Sequence, residues 1–479
     1  MKLRTLFPRR AMFISAAACL LGLSAAAQQR QADPSGAWYG TLEVQGMKLG
    51  IVFHLTAAKD GGYTATMDSP DQGAFGMPVP SVRIKGDSVI LRLPAIQGGY
   101  DGRIVNDSSI DGAWKQAGSD YPLPLVRRSA PLEIKRPQNP KKPYPYDVEE
   151  VRFENVSAGI SLAGTLTLPR AGRPSAAVVM ITGSGPQDRD ETLFQHKPFW
   201  IIADHLTRHG IAVLRFDDRG TGDSRGNTAT ATSEDFAGDA LAAVTYLRTR
   251  AEIDPARIGL VGHSEGGMIA PMAAQSDKGI AFLVMLAGTG VIGEEILYEQ
   301  GALITRANGM AESEIKKNRA MQHALFNVVR EEADSAKAMH RLIAVMTEAQ
   351  REESAGDTAA LKNAEAMIRA QASQLNSPWF RFFLFYDPAV ALRKTTIPVL
   401  ALNGERDLQV SPLQNIPAIE AALKAAGNTR FKTMVLPRLN HLFQTSKTGA
   451  ISEYGTLEET VSPVALEALS SWIGEVTRK

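Results

Sequence analysis

The stretch Arg136-Pro137-Gln138-Asn139-Pro140-Lys141-Lys142-Pro143-Tyr144-Pro145 divides the chain into two parts that fold by different rules. Each proline removes a backbone donor and fixes φ, so no sheet continues through it, and residues 131–147 read as a stiff linker. Two or three domains are in any case expected of 479 residues, which exceed what one hydrophobic core serves. Before the linker, over residues 33–130, the pattern is short and alternating: Trp38-Tyr39-Gly40-Thr41-Leu42-Glu43-Val44, Leu49-Gly50-Ile51-Val52-Phe53-His54-Leu55, Ser88-Val89-Ile90-Leu91-Arg92-Leu93 and Ser109-Ile110-Asp111-Gly112-Ala113-Trp114. Turns such as Asp60-Gly61-Gly62, Lys85-Gly86-Asp87 and Gln97-Gly98-Gly99 separate the runs, which predicts an antiparallel all-β sandwich or barrel.

Beyond the linker, over residues 148–479, strands alternate with helices, the rhythm of an α/β domain with a mainly parallel sheet covered on both faces. Residues 151–157 and 161–168 predict an opening hairpin. Buried strands follow at 176–182, 212–216, 258–261, 281–287, 398–402 and 431–436. A helix is expected over 233–250, where Ser233 and Asp235 suit its cap and first turn. Residues 290–388 break the rhythm, being rich in Ala, Glu, Lys, Arg and Met with no convincing strand; they predict a helical lid over the end of the sheet, or else a separate helical domain.

The N-terminus reads as a targeting segment. Lys2, Arg4, Arg9 and Arg10 precede an apolar run over 11–23 and then Ser24-Ala25-Ala26-Ala27, the order of a secretory signal peptide cut after Ala27. The run is shorter than the roughly 20 residues that span a bilayer, so export to the periplasm or beyond is expected, with no stable membrane insertion after cleavage. Arg9-Arg10 hints at twin-arginine export, but Pro8 stands where that signal carries Ser or Thr; Cys19 lacks the preceding leucine of a lipoprotein site. Cleavage removes the only cysteine, which excludes a disulfide, a thiolate nucleophile and a cysteine metal site. It also removes four basic residues, taking the formal charge from +1 to −3, and with no basic cluster nucleic acid is not an expected partner.

Chemistry is signalled first at Ile258-Gly259-Leu260-Val261, a buried-strand run leading directly into Gly262-His263-Ser264-Glu265-Gly266-Gly267 and the helix-like Met268-Ile269-Ala270. Gly-x-Ser-x-Gly between strand and helix places the serine at a strained elbow above the sheet, and the glycines avoid clashes where strand and helix approach. The five-residue pattern is weak by itself; its context and partners give it meaning. A serine hydroxyl needs a base, and the base needs an orienting carboxylate, in the chain order serine, acid, histidine for this arrangement. Asp407 follows the strand Leu400-Ala401-Leu402 in a tight turn, with Glu405 as the competing acid, and His441 is the only one of eight histidines after Asp407. His263, next to the serine, is assigned to packing.

Attack on a carbonyl creates an oxyanion that requires fixed backbone donors. The N–H of Glu265 supplies one, and Gly183-Ser184-Gly185-Pro186 offers the other, at Ser184 with Gly185 in reserve. Arg215-Phe216-Asp217-Asp218-Arg219-Gly220-Thr221-Gly222-Asp223-Ser224 reads as a supporting loop held by an Arg–Asp pair. In the helical interval Tyr298, Trp379, Phe380 and Tyr386, with Phe382 and Phe383, are equally suited to core or pocket wall.

On Gly183-Ser184-Gly185-Pro186-Gln187-Asp188-Arg189-Asp190, the Asp217 to Ser224 loop, the Ser264 motif and the regions of Asp407 and His441, the chain from about residue 148 onward resembles bacterial α/β-hydrolases of the esterase D-like group, which overlap in motif with serine aminopeptidase-like hydrolases. Thr182-Gly183 replaces the His-Gly that commonly opens the oxyanion loop. The resemblance implies hydrolysis of small-molecule carboxylic esters with short or medium acyl groups, through an acyl-serine intermediate, with no cofactor and no metal. A peptidase on the same triad is the alternative, with Glu294, Glu295 or Glu299 holding a free amino terminus; a binding protein with an inactive hydrolase domain is the third reading. The oligomeric state is not encoded in these features.

Overall fold

The structure, a computed structural model, describes residues 33–44, 47–58, 61–70, 74–116, 119–128, 135–354 and 358–478. The expected signal peptide, residues 1–27, lies outside them.

The N-terminal part is one antiparallel sheet of ten strands: β1 (Gly36–Val44), β2 (Met47–Ala57), β3 (Tyr63–Ser69), β4 (Ala74–Val79), β5 (Ser81–Lys85), β6 (Ser88–Leu93), β7 (Gly98–Asn106), β8 (Ser109–Gln116), β9 (Ser119–Pro122) and β10 (Leu125–Arg128). Its order is β4-β3-β2-β1-β10-β8-β7-β6-β5, with β9 beside β8. The sheet bends until β3 meets β5 and β4 meets β6, so the result is close to a barrel and is not a stacked sandwich. Alternation drives this: Val89, Leu91 and Leu93 on β6 point inward, where Trp38, Phe53, Tyr100 and Trp114 fill the interior. Gly98 is needed there, because a Cβ would lie 2.4 Å from the Trp114 ring.

The second sheet has eight strands: β11 (Asp147–Asn155), β12 (Ile160–Leu168), β13 (Ser175–Ile181), β14 (Ala212–Phe216), β15 (Ile253–His263), β16 (Leu283–Leu286), β17 (Val399–Gly404) and β18 (Phe431–Leu436). Its order is β11-β12-β14-β13-β15-β16-β17-β18. β11 and β12 form an antiparallel hairpin, β12 joins β14 antiparallel, and every later neighbour pair is parallel. On β13, Ala177, Val179 and Ile181 enter one core while Val178 and Met180 enter the other, so the strand is apolar on both faces. Helices α2 (Ser233–Arg248), α3 (Glu265–Ser276) and α10 (Pro412–Ala425) cover the first face through Val244, Ile269 and Ile419. Helices α1 (Pro198–Arg208) and α11 (Pro463–Val476) cover the second through Phe199, Leu206, Leu469 and Trp472. The cap of α2 is Thr232, not Ser233: the Thr232 N–H donates to Asp235 Oδ2 (2.9 Å), and Ser233 turns inward.

Between β16 and β17 run α4 (Gly293–Ala307), α5 (Glu312–Glu331), α6 (Ser335–Glu353), α7 (Thr358–Leu375) and α8 (Pro378–Phe385), followed by the short α9 (Ala389–Leu392). They have their own apolar centre around Tyr298, Phe326, Val329, Leu342 and Leu384. The proline-rich segment is docked on the second sheet's domain: the Arg136 guanidinium donates to the carbonyls of Leu457, Phe194 and Gly455, and Gln138 Nε2 to that of Val461.

Candidate active site

Strand order reverses at β13 and β15: the chain leaves β13 for β14 on one side, then returns to β15 on the other. The carboxyl ends of these strands therefore border a crevice, the place where open α/β sheets bind ligands. β15 ends in Ser264, whose φ of 54° and ψ of −116° depart from every ordinary conformation of a non-glycine residue. Its N–H donates to the Leu286 carbonyl (2.8 Å), and Glu265 opens α3 directly behind it. The glycines make this possible: a Cβ on Gly262 would lie 1.9 Å from the Gly266 carbonyl oxygen, and one on Gly266 would lie 2.3 Å from that of Ile181.

Asp407 and His441 come together in the turns that follow β17 and β18. His441 Nδ1 donates to Asp407 Oδ2 (2.8 Å), with both side chains buried. The carboxylate is fixed by the Gln409 and Val410 N–H groups on Oδ1 (2.9 Å each) and by Asn403 Nδ2 on Oδ2 (3.2 Å). Glu405, the competing acid, points elsewhere and accepts the N–H of Arg438 (2.8 Å).

The loop after β13 is held by charge. Arg189 pairs with Asp217 (2.6 Å), Arg215 with Asp190, and Arg219 with Asp239 (2.7 Å), so the ion pairs of three arginines tie the 183–190 segment and the 215–224 loop into the domain, where sequence reading expected a single Arg–Asp pair. Asp218 accepts from Thr182 Oγ1 (2.8 Å) and the Gln187 N–H (2.9 Å), and burial pushes its carboxyl up to about 8. The Gly183 N–H donates to Glu191 Oε1 (2.7 Å) and is thereby occupied. Glu191 also meets His263 Nδ1 (2.9 Å), while His263 Nε2 lies 3.0 Å from the His441 carbonyl oxygen. Burial disfavours the His263 imidazolium, but the Glu191 carboxylate more than offsets this and raises its pKa. His263 is thus a polar bridge and not simple packing.

Ser264 and His441 line one cavity of about 410 Å³ together with Ser184, Glu191, His263, Thr289, Gln300, Trp379, Phe380 and Phe383. Of the aromatic candidates, Trp379, Phe380 and Phe383 reach it. Tyr298 is instead in the centre of the helical insertion, donating to Glu294 Oε1 (2.8 Å) and tilted against His323 and Phe326. Tyr386 stacks on Phe382 outside the cavity wall. Glu294 is committed to Tyr298 and Arg330, and the wall at this point of α4 is formed by Ile296, Leu297 and Gln300, with neither Glu295 nor Glu299. Behind Ser264, the buried Glu265 carboxylate accepts from Ser233 Oγ (2.7 Å) and from Trp379 Nε1 on both oxygens (2.9 and 3.0 Å); burial nevertheless raises its pKa.

Sequence reading missed Glu191, Thr289 and Gln300, and gave His263 only a packing role. Of these only Glu191 left a trace in the sequence, as the end of the charged run Asp188-Arg189-Asp190-Glu191 after the glycine loop; in the structure its φ is 51°.

Known proteins bear on this arrangement. Esterase EstD of Thermotoga maritima is 28% identical over 297 residues, 62% of this chain and 61% of that enzyme, so the chain spans about three-fifths of its relative's length. The thiohydrolase aneE of Aspergillus aculeatus is 36% identical over 136 residues, 28% of this chain and 40% of that protein. A solved esterase of Pyrococcus furiosus superposes with a TM-score of 0.42 at 16% identity, covering 71% of this chain and 96% of that one. Residues 158–442, more than half of the chain and inclusive of Ser264, Asp407 and His441, match the X-Pro dipeptidyl-peptidase (S15) profile. On that match the chain belongs to the S15 family, hydrolases of the α/β type.

Proposed function

We propose that the protein is an exported serine hydrolase that cleaves carboxylic esters with short or medium acyl groups. Ser264 Oγ attacks the ester carbonyl while His441 takes its proton, and Asp407 holds the imidazole with Nδ1–H toward itself. The oxyanion accepts from the N–H groups of Glu265 and Ser184; Ser184 is chosen because the Gly183 N–H is already given to Glu191. The alcohol leaves with the proton from His441, and a water activated by the same histidine releases the acid. The observation that carries this reading is the His441–Asp407 hydrogen bond of 2.8 Å with His441 and Ser264 on one cavity wall.

Residues 33–130 act as an accessory domain, 131–147 as a linker and 148–479 as the catalytic domain, with the helices of 290–388 as its lid. Ile296, Leu297, Trp379, Phe380 and Phe383 give an apolar wall suited to an acyl chain. The S15 match favours a second reading, cleavage of peptides. Recognition of a free amino terminus needs an unpaired carboxylate in a desolvated site, and the two acids at this centre, Glu191 and Glu265, are each committed to protein donors, which supports the ester reading. Comparing p-nitrophenyl acyl esters with aminoacyl and X-Pro anilides decides between them: ester preference is expected, with Ser264→Ala lowering kcat by several orders of magnitude. Anilide preference would favour the peptidase.

A further inference from the structure

Two acceptors face His263, one at each ring nitrogen. The His441 carbonyl oxygen, 3.0 Å from Nε2, can only accept. At Nδ1, 2.9 Å away, Glu191 Oε1 already accepts the Gly183 N–H. A proton shared between a carboxyl and an imidazole goes to the imidazole, the more basic group by about two pK units. Both nitrogens of His263 are then donors. The other ionisable groups that bear on it are the His441 ring, with centroids 4.8 Å apart, Asp407 beyond it, and Asp218, which is coupled electrostatically to Glu191.

This pair joins two loops that hydrolysis needs in register. Glu191 holds Gly183, the residue before the proposed oxyanion donor Ser184, and His263 holds the main chain of the proposed base, His441. We propose that His263 is a permanently protonated positioning residue, locked by Glu191, that fixes the oxyanion loop and the His441 loop relative to each other. A neutral His263 gives up one of its two bonds and loosens one loop.

The protonation state is independent of the hydrolase reading; the kinetic consequence rests on it. Nitrogen NMR of the full chain with isotope-labelled histidine, assigned with His263→Gln, is expected to show both His263 ring nitrogens protonated from about pH 5 to about pH 9, with no titration near the ordinary value of about 6.5. A bare ring nitrogen in that range would overturn the proposal. Glu191→Gln keeps an acceptor for Gly183 and removes the charge. Its kcat on a p-nitrophenyl ester is expected to fall about tenfold or more near pH 9 with little change in KM, and the variant-to-wild-type ratio to recover as the pH is lowered and His263 regains its proton. A ratio near one at every pH would refute the positioning role. Wild type that turns over no ester would sink the ester reading and leave the NMR result to decide the ion pair.

Discussion

A carboxyl group sealed from water gives up its charge unless donors hold it, and at Asp218 two donors are not enough. Thr182 Oγ1 and the Gln187 N–H reach it, yet burial, followed by the nearby Glu191 and Glu265, pushes it from 3.8 up to about 8. Between those two values the folded chain holds a proton that the unfolded chain has lost, so this group's contribution to stability falls as the pH rises through that window. In Asp218→Asn the amide can accept the Gln187 N–H and donate to Thr182 without titrating. Its urea midpoint should therefore fall less than the wild type's between about pH 4 and about pH 8, and equal slopes would contradict this account. At this scale the sequence is readable where chemistry imposes letters. Ser264 and its glycines are legible because a Cβ at Gly262 or Gly266 has no room. Glu191 and His263 are not, since their meaning depends on a contact across 72 positions.

Among the elements, α8 has the most direct link to the elbow. Trp379 and Phe383, one helical turn apart and stacked at 5.5 Å, face the cavity, while Phe382 and Tyr386 stack on another side of the helix end. The Trp379 indole also donates to Glu265, the first residue of α3. Trp379→Phe keeps the wall and removes that donor, so it is expected to cost about 1–3 kcal/mol in thermal or urea unfolding and to raise KM severalfold. Unchanged stability and KM would mean that α8 merely rests on the site. β13, β14, β16 and β17 begin and end within a residue or two of the apolar runs read from sequence, because a strand buried on both faces has little freedom in composition; β18 matches its run as well, although as the edge strand it leaves Lys432 and Val435 exposed. β15 starts earlier, at Ile253, through Asp254, Pro255 and Arg257, which carry no strand signal. In the insertion, helical composition is legible but the packing is not: Tyr298 and Phe380 look alike in sequence and both join the insertion's apolar centre, yet only Phe380 also reaches the cavity.

For the molecule as a whole, inward alternation on the N-terminal strands suits a sandwich and a barrel alike, and the ring closure of β3 on β5 and β4 on β6 is a long-range outcome. The proline-rich segment is legible as a break, while its docking through Arg136 and Gln138 is not, because apart from Phe194 the partners named above lie more than three hundred residues away. The crevice at the β13–β15 reversal collects Ser264, His441 and the glycine loop from distant parts of the chain, and acyl transfer through Ser264 is the central claim made for it. Mass spectrometry of the protein quenched during turnover of an activated p-nitrophenyl ester tests it most directly. The account predicts an added acyl mass on the peptide containing Ser264, absent from Ser264→Ala; ester hydrolysis undiminished in that variant, with no adduct on the wild-type peptide, would contradict it.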